Sequence, residues 1–196
     1  SDSGVPLICS TGMSTEEEIG SRVSLFQKLG TQVILLHCNS TYPAPYKDIN
    51  LKYMGKLADR GFPVGYSGHE RGIFVPVAAV ALGACVIEKH VTLDKTQEGN
   101  DHKVSLLPSE FERMVGDIRA VEESMGQEAD RSLSQGELIN REVLAKSLVS
   151  AKRLQRGSLI KREDIEIRSP GQGLQPHRVI ELVGRRTHRE IDKGDF

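Results

Sequence analysis

The sequence predicts an α/β protein built on a parallel sheet and followed by a small, mostly β module. Four short apolar segments alternate with helical segments over the first two-thirds of the 196-residue chain. The apolar segments are nearly continuous, which is typical of parallel strands covered on both faces. Beyond about residue 143 the segments become short and are interrupted by glycine and proline, as in loop-rich β structure.

Composition indicates an ordinary globular protein. The chain is 38% hydrophobic and 27% charged with a net charge of −1, so neither a nucleic-acid nor a membrane-surface partner is expected. No apolar run approaches the roughly 20 residues of a membrane span, and we recognise no signal peptide. Three cysteines without CxxC spacing favour a reducing compartment, so we expect a cytoplasmic protein with its cysteines in the core.

The first two strands are predicted at Val5–Thr11 and Val33–Cys38. The helix between them should begin near Ser14, because Ser14 and Glu17 have the spacing of a capping box. Apolar residues then recur every three to four positions until Gly30, which is a typical stop signal. A proline-rich loop follows the second strand.

The next units repeat this order. A short helix near Leu51–Asp59 precedes a third strand at Pro63–Gly68, and a helix over 73–83 leads to a fourth strand at Ala84–Thr92. A polar loop then gives way to a long amphipathic helix at about Ser109–Met125. Its capping box is predicted at Ser109 and Glu112, and its buried stripe at Phe111, Val115, Ile118 and Val121.

Four βα units in about 125 residues allow two architectures. They form either a small doubly wound sheet or half of a (β/α)8 barrel, since a whole barrel needs about 250 residues. We assign residues 1–126 to this region, 127–142 to a polar linker and 143–196 to the β module. The final "IDKGDF" echoes the earlier "LQRGSLI" and stops before its next apolar residue, so we expect the module to be truncated.

Two histidines stand out because each follows another polar residue at a spacing of two. Ser67 and His69 share one face of the third strand, and Glu88 and His90 share one face of the fourth. The carboxyl ends of parallel strands lie on one side, so the two imidazoles could hold a divalent cation. From the residues alone, a structural, hydrogen-bonded role is equally open. Other polar residues at these strand ends are Ser10, Thr11, Asn39, Ser40, Tyr42, Asp101 and His102.

Several motifs resemble those of the sialic acid (N-acetylneuraminate) synthase family. They are "STGMS", "LLHCNSTYPAPYKDINL", "GYSGHERGI", "AAVALGACVIEKHVTLDK" and "GNDHKVSL". The tail is similar to the antifreeze-protein-like SAF module of that family, a β-clip fold. The resemblance implies that Val5–Met125 is the second half of a (β/α)8 TIM barrel, comprising its fifth to eighth units.

The resemblance also implies an activity. Family members condense phosphoenolpyruvate with N-acetylmannosamine, or a related N-acyl amino sugar, and water to give N-acetylneuraminate and phosphate. It implies Mn²⁺ or Mg²⁺ on His69 and His90, catalytic carboxylates at Glu88 and Asp101, and a homodimer with a swapped SAF domain. Legionaminic or pseudaminic acid synthases, enzymes for a 6-phosphorylated sugar, and a non-catalytic dimerisation or carbohydrate-binding module remain alternatives.

Substrate contacts are implied in the same way. Ser10, Ser40, Tyr42 and Ser67 match positions that contact phosphoenolpyruvate. Some members carry Asn at the place of Ser40, so either Asn39 or Ser40 could make that contact. His102 matches a possible sugar contact. Serines at such places also commonly close turns, and Tyr42 could equally pack against the neighbouring prolines.

The sequence departs from the family pattern in two respects. The arginine of the family's Lys-Arg-Pro-Gly motif would contact the sugar of the partner subunit, but here Arg168 lies one residue early and Ser169 takes the matching place. The first four barrel units, with their anion-binding lysines, have no counterpart, and neither Lys52 nor Lys89 lies in a replacing motif. We therefore expect the chain alone to be inactive, with uncovered sheet edges that favour pairing.

Overall fold

Four parallel strands form one sheet in the order β1-β2-β3-β4. The strands are β1 Leu7–Ser10, β2 Val33–Cys38, β3 Val64–Gly68 and β4 Ile87–Lys89. The computed structural model describes residues 4–196. The predicted strands are confirmed, although β1 and β4 are shorter than their apolar runs.

Strand order decides between the two architectures that the sequence allows. A doubly wound sheet reverses its strand order at a switch point, whereas a barrel adds each strand to the same side of the previous one. Here every strand pairs in parallel with the next strand along the chain. The fold is therefore α/β with a parallel half-barrel sheet.

Five helices belong to this part of the chain. They are α1 Glu16–Leu29, α2 Tyr53–Ala58, α3 Phe74–Ala81, α4 Asn100–Val104 and α5 Pro108–Met125. A 3-10 helix at Tyr46–Asp48 follows the proline-rich loop. The short helix α4 was not predicted, because five polar or mixed residues carry no helical periodicity of their own.

The caps of α1 and α5 differ from the predictions. Helix α1 is capped by Thr15, which accepts from the Glu18 N–H, while the Ser14 N–H closes the preceding turn on the Thr11 carbonyl. Both Ser14 and Thr15 are followed three residues later by glutamate, so spacing alone could not choose. Helix α5 begins at Pro108, and the Leu107 N–H donates to the Glu110 carboxylate at 2.8 Å, rather than using the predicted serine and glutamate.

The core lies between the sheet and its helices. Its largest buried cluster contains Ile19, Val23, Val33, Leu35, Ala44, Ile49, Met54, Leu57, Val64, Tyr66, Ala79 and Ala84. A second cluster joins Met114 and Ile118 of α5 to Val80 and Leu106. Phe111 packs against it, whereas Val115 is 39% exposed, so the predicted stripe of α5 is rotated toward Met114.

Two expectations about burial are wrong. Strand β1 is mostly exposed, with Ile8 at 51%, so the sheet is not covered on both faces along its first strand. Cys85 is exposed, and Cys9 and Cys38 are only half-buried, so the cysteines are not all core residues. Cys85 precedes β4, and Cys9 lies in the mostly exposed strand β1, so an apolar run did not place these cysteines in the core.

The remaining residues form a second compact unit, Glu128–Phe196, separate from Ser1–Gln127. Helix α6, Gln135–Leu144, occupies much of the segment expected to be a linker. Strands β5 Ser147–Ser150 and β6 Ile165–Arg168 pair in antiparallel fashion. Short helical segments complete the unit: Arg162–Asp164, Pro176–Arg178 and α7 Val179–Leu182.

Among the residues that the structure describes, no helix is both long enough and apolar enough to cross a membrane.

Candidate functional site

The two histidines lie side by side at the carboxyl ends of β3 and β4. The strand register pairs Ser67 with Glu88 and Gly68 with Lys89. His69 and His90 are the residues that directly follow the last pair, one after each strand. Their ring centres are 5.2 Å apart, with the planes at 79°. An imidazole that binds through one nitrogen has its centre roughly 3 Å from the cation, so two rings at this separation can share one ion.

The hydrogen bonds of His69 define its tautomer. Its Nδ1 lies 2.7 Å from the Asn39 carbonyl oxygen, which can only accept, so Nδ1 carries the proton. Nε2 then accepts from the Tyr42 hydroxyl at 3.0 Å. Metal-binding histidines commonly donate their second ring N–H to a backbone carbonyl, as His69 does here. Nε2 is therefore the ring atom with the lone pair that a ligand would need, and the Tyr42 hydroxyl bonds to it.

Tyr42 packs on this pair rather than only on its proline neighbours. Its ring centre lies 4.2 Å from that of His69 and 5.6 Å from that of His90. Burial raises the pKa of Tyr42, and the nearby Cys38, Asp101 and Glu88 add to the effect because negative charge opposes ionisation of the phenol. Tyr42 therefore stays a neutral hydrogen-bond donor beside the histidines.

Ser67 and Glu88 form the second layer of the same face. The buried Ser67 hydroxyl, in a residue only 2% exposed, donates to Glu88 Oε1 at 2.7 Å. This bond fixes one carboxylate oxygen and directs the exposed remainder of Glu88 toward the site. The polar pairs of β3 and β4 are thus joined across the strands.

Asp101 and His102 lie on α4 rather than in an irregular loop. The Thr92 hydroxyl donates to the Asp94 carbonyl at 3.0 Å, so His102 Nδ1 must donate to Thr92 Oγ1 at 2.8 Å. This leaves His102 Nε2 as an acceptor. The carboxylate of Asp101 is exposed and close enough to affect Tyr42.

The loop after β2 distinguishes Asn39 from Ser40. The Asn39 amide donates to the Asp48 carbonyl at 2.9 Å, and its Oδ1 accepts from the Thr41 N–H at 3.0 Å, so this side chain is used within its own loop. The Ser40 hydroxyl lies beside Gly12, where an added Cβ would be 2.2 Å away. Of the two residues, Ser40 is the one whose side chain lies beside the loop that follows β1.

Two predicted contacts, Ser10 and Arg168, remain. Ser10 is exposed and borders a cavity of about 500 Å³ between β1 and α1. Arg168 belongs to the second compact unit, where its Nε donates to Glu166 at 2.7 Å. The neighbouring Ser169 accepts from Lys146 at 2.9 Å. Arg168 is thus engaged in a local ion pair on β6.

One buried polar cluster was missed by the sequence analysis. Lys89 Nζ lies 2.8 Å from Glu70 Oε1, and the Tyr66 hydroxyl donates to Glu70 Oε2 at 2.6 Å. Burial lowers the pKa of Lys89, which the Glu70 carboxylate opposes, and burial also raises the pKa of Tyr66. The available signal was a lysine and a glutamate flanking the two histidines inside apolar strands.

The donor set is compatible with a divalent cation that keeps open positions. Within residues 4–196, no group of three histidine, cysteine, aspartate or glutamate side chains is arranged to hold a metal ion. Two imidazoles alone would leave the remaining positions of such a cation to water or substrate oxygens. Catalytic zinc sites commonly have three protein ligands, so a cation on His69 and His90 would have one protein ligand fewer.

Comparisons with known proteins agree with the motifs. The NeuB family profile matches residues 1–130. N,N'-diacetyllegionaminic acid synthase of Legionella pneumophila is 40% identical over 97% of this chain and 55% of its own length. The N-acetylneuraminate-9-phosphate synthase of Homo sapiens is 33% identical over 98% of this chain and 54% of its own length.

A solved structure gives the same result. The crystal structure of N-acetylneuraminic acid (sialic acid) synthetase from Leptospira borgpetersenii aligns with a TM-score of 0.64 and 38% identity, covering 73% of this chain and 51% of that one. The chain thus spans about half the length of the curated relatives it matches. The resemblance inferred from the motifs is confirmed, and the chain belongs to the NeuB family.

Proposed function

We propose that this chain forms the metal-binding side of a synthase that joins phosphoenolpyruvate to an N-acyl amino sugar, giving a sialic-acid-type product and phosphate. The observation that carries the proposal is the pairing of His69 and His90, with ring centres 5.2 Å apart, beside Tyr42, Glu88 and Asp101. Family membership supports a sialic-acid-type synthase. The presence of two imidazoles beside carboxylates suits activation of a sugar carbonyl.

In the proposed reaction the methylene carbon of phosphoenolpyruvate forms a bond to the sugar aldehyde carbon. Water adds its oxygen to the neighbouring carbon, the bond from that carbon to the phosphate oxygen breaks, and phosphate leaves. A divalent cation on His69 and His90 would polarise the aldehyde oxygen as a Lewis acid. Every other contribution comes from main-chain and side-chain groups of this chain.

Each residue near the histidines has a distinct role in the proposed reaction. The main-chain carbonyl of Asn39 holds the proton of His69 on Nδ1, so that Nε2 carries the lone pair that a cation would bind. Glu88, held by Ser67, presents carboxylate charge where positive charge develops on the enol-derived carbon, and can accept the proton of the attacking water. Asp101 adds a second negative charge near Tyr42, on the side where we place the sugar.

The acceptor sugar has two candidates. N-acetylmannosamine, the first candidate, gives N-acetylneuraminate. A sugar with two N-acetyl groups is the second candidate, because the Legionella relative named for N,N'-diacetyllegionaminic acid is 40% identical, against 33% for the human synthase. The contacts that select between them include residues outside this chain's half of the barrel.

Phosphate release tests the proposal. The purified chain would be assayed with phosphoenolpyruvate, Mn²⁺ and either sugar, alone and after co-expression with the amino-terminal half of the Legionella synthase. We expect turnover only in the complemented sample, because the chain spans about half the length of its relatives and the resemblance implies anion-binding lysines in the other half. His69→Ala in the same complex should remove Mn²⁺ binding and turnover together.

The opposing result is also clear. No turnover in the complemented sample, with Mn²⁺ affinity unchanged by His69→Ala, would reject the synthase proposal in favour of a non-catalytic dimerisation or carbohydrate-binding module. Arg113→Ala, which removes an exposed cation of α5, serves as the control and should leave both quantities unchanged.

A further inference from the structure

A buried ion pair lies on the face of the sheet opposite the histidines. Glu70 directly follows His69, and Lys89 directly precedes His90. Both side chains are fully buried, at 0% exposure. Because side chains alternate between the two faces of a strand, Glu70 and Lys89 lie on the opposite face from His69 and His90.

The pair is fully connected by hydrogen bonds. Lys89 Nζ donates to Glu70 Oε1 at 2.8 Å and also to the backbone carbonyl oxygen of Glu70. The Tyr66 hydroxyl donates to Glu70 Oε2 at 2.6 Å. The lysine of β4 is thereby bonded to both the side chain and the main chain of the residue next to His69.

The glycine at position 68 is required for this arrangement. A Cβ on Gly68 would lie 2.9 Å from both carboxylate oxygens of Glu70 and from the Tyr66 ring. Glu70 therefore folds back over Gly68 to reach Tyr66. The sequence provides a small residue at the one position that the carboxylate crosses.

The ion pair also bridges the point at which the backbone ladder stops. The register of β3 and β4 ends at Gly68 and Lys89. Beyond it the two chains bond elsewhere: the His69 carbonyl accepts from Ala44 N–H at 3.0 Å, and the His90 carbonyl from Leu106 N–H at 2.8 Å. Lys89 and Glu70 link the two segments at the level of the histidines.

A stability role alone does not account for such a pair. Replacing a buried ion pair by apolar residues of similar volume is often neutral or stabilising, because desolvation of the charges offsets their attraction. An apolar pair would lack the directional hydrogen bond from Lys89 to the Glu70 main chain. That bond constrains the position of the Glu70 backbone relative to β4.

We propose that Lys89, acting with Glu70 and Tyr66, is a positioning residue that sets the separation of the His69 and His90 rings. This deepens the proposed function, since the separation determines whether the two imidazoles can share one cation. The geometric part of the proposal stands without any metal.

Two variants test it. Lys89→Met leaves Glu70 buried without its cation, and the double variant Lys89→Met, Glu70→Met removes both charges while keeping the volume. Three quantities would be measured: the melting temperature, the Mn²⁺ affinity by electron paramagnetic resonance, and, without metal, the nuclear Overhauser effect between the ring protons of His69 and His90.

For Lys89→Met we expect a melting temperature lower by roughly 10 °C, because an unpaired buried charge is strongly destabilising. In the double variant the melting temperature should return to near that of the wild type. The Mn²⁺ affinity should stay about 10- to 100-fold weaker, as for lost outer-shell partners, and the ring-to-ring Overhauser effect should stay reduced. Affinity and Overhauser effect that recover together with the melting temperature would overturn the positioning role.

A control ion pair lies in the second compact unit. Lys152 pairs with Asp164 at 2.7 Å, and the Asp164 side chain is only 3% exposed although that of Lys152 is 61% exposed. Lys152→Met should lower the melting temperature without changing the Overhauser effect or the Mn²⁺ affinity. If the wild type binds no Mn²⁺, the metal part of the proposed function fails, while the Overhauser effect in the double variant still decides the positioning role.

Discussion

The two ring nitrogens of His69 have opposite hydrogen-bonding roles: one donates and the other accepts. The Asn39 carbonyl holds the proton on Nδ1, and the Tyr42 hydroxyl bonds to the lone pair of Nε2. A cation that binds Nε2 must therefore replace the bond from Tyr42. The tyrosine competes with the ligand that we propose for this site.

Removal of the Tyr42 hydroxyl should strengthen metal binding. In Tyr42→Phe the ring still packs on His69 but no longer donates to Nε2, so we expect the Mn²⁺ dissociation constant to fall by about 2- to 10-fold, which corresponds to one net hydrogen bond. Calorimetric titration measures this. Tyr46→Phe is the control, because the Tyr46 hydroxyl donates to the Arg71 carbonyl instead. Weaker binding in Tyr42→Phe would instead indicate that the hydroxyl supports the cation.

A third histidine makes a pH-dependent contribution to stability. His37 is buried, its Nε2–H donates to the Ile49 carbonyl at 2.6 Å, and burial lowers its pKa despite that bond. As pH falls below the ordinary histidine value of about 6.5, the unfolded chain takes up a proton that the folded chain resists, so the free energy of unfolding decreases. Above that value both states are neutral and the contribution vanishes.

We therefore expect His37→Gln to show a smaller loss of stability between pH 7 and pH 5 than the wild type. Urea unfolding at a series of pH values measures the difference. His177→Gln, at an exposed histidine, should follow the wild-type curve. Equal pH slopes for His37→Gln and wild type would contradict this assignment.

At the scale of elements, β3 is the strand that determines the site. It is buried along its whole length and pairs with both β2 and β4. Gly65 allows this close packing, since an added Cβ would lie 2.5 Å from the Val86 carbonyl oxygen and 2.5 Å from Leu36 Cδ2. Any side chain there would push β3 away from a neighbouring backbone.

Gly65→Ala should therefore destabilise the fold by about 2–3 kcal/mol, the usual cost of overpacking a rigid core. Gly116→Ala should change the free energy of unfolding in the opposite direction, because Gly116 lies within α5 and nothing lies within 4 Å of the added Cβ. It should stabilise by roughly 0.5–1 kcal/mol through helix propensity. Denaturant unfolding distinguishes the two, and a neutral Gly65→Ala would show that β3 and β4 can separate without cost.

The elements differ in how well local sequence predicts them. Strands β2 and β3 were located almost to the residue, because their apolar runs are bounded by glycine and proline. Helix α4 was missed, and so Asp101 and His102 were placed in a loop. The caps of α1 and α5 were displaced by one or two residues because adjacent residues offered equivalent spacing.

At the scale of the whole molecule, β1 is the exposed boundary of the sheet. Among the residues that the structure describes, it pairs only with β2, and Leu7 and Ile8 are 42% and 51% exposed. A complete barrel would cover such a strand by pairing it on both edges. Co-expression with the other half of a relative would supply such a covering strand, which is why we propose it as the assay for turnover.

The βα order, the same-face spacing of the two polar pairs and the family were predicted correctly, because these depend on residues close together along the chain or on motifs. Three further features became apparent only in the folded chain: the strands follow one another without reversal, Tyr42 lies over His69, and Lys89 reaches Glu70. Each of these depends on contacts between segments 19 or more residues apart, such as Lys89 with Glu70. Such contacts depend on packing across the sheet, which local periodicity does not predict.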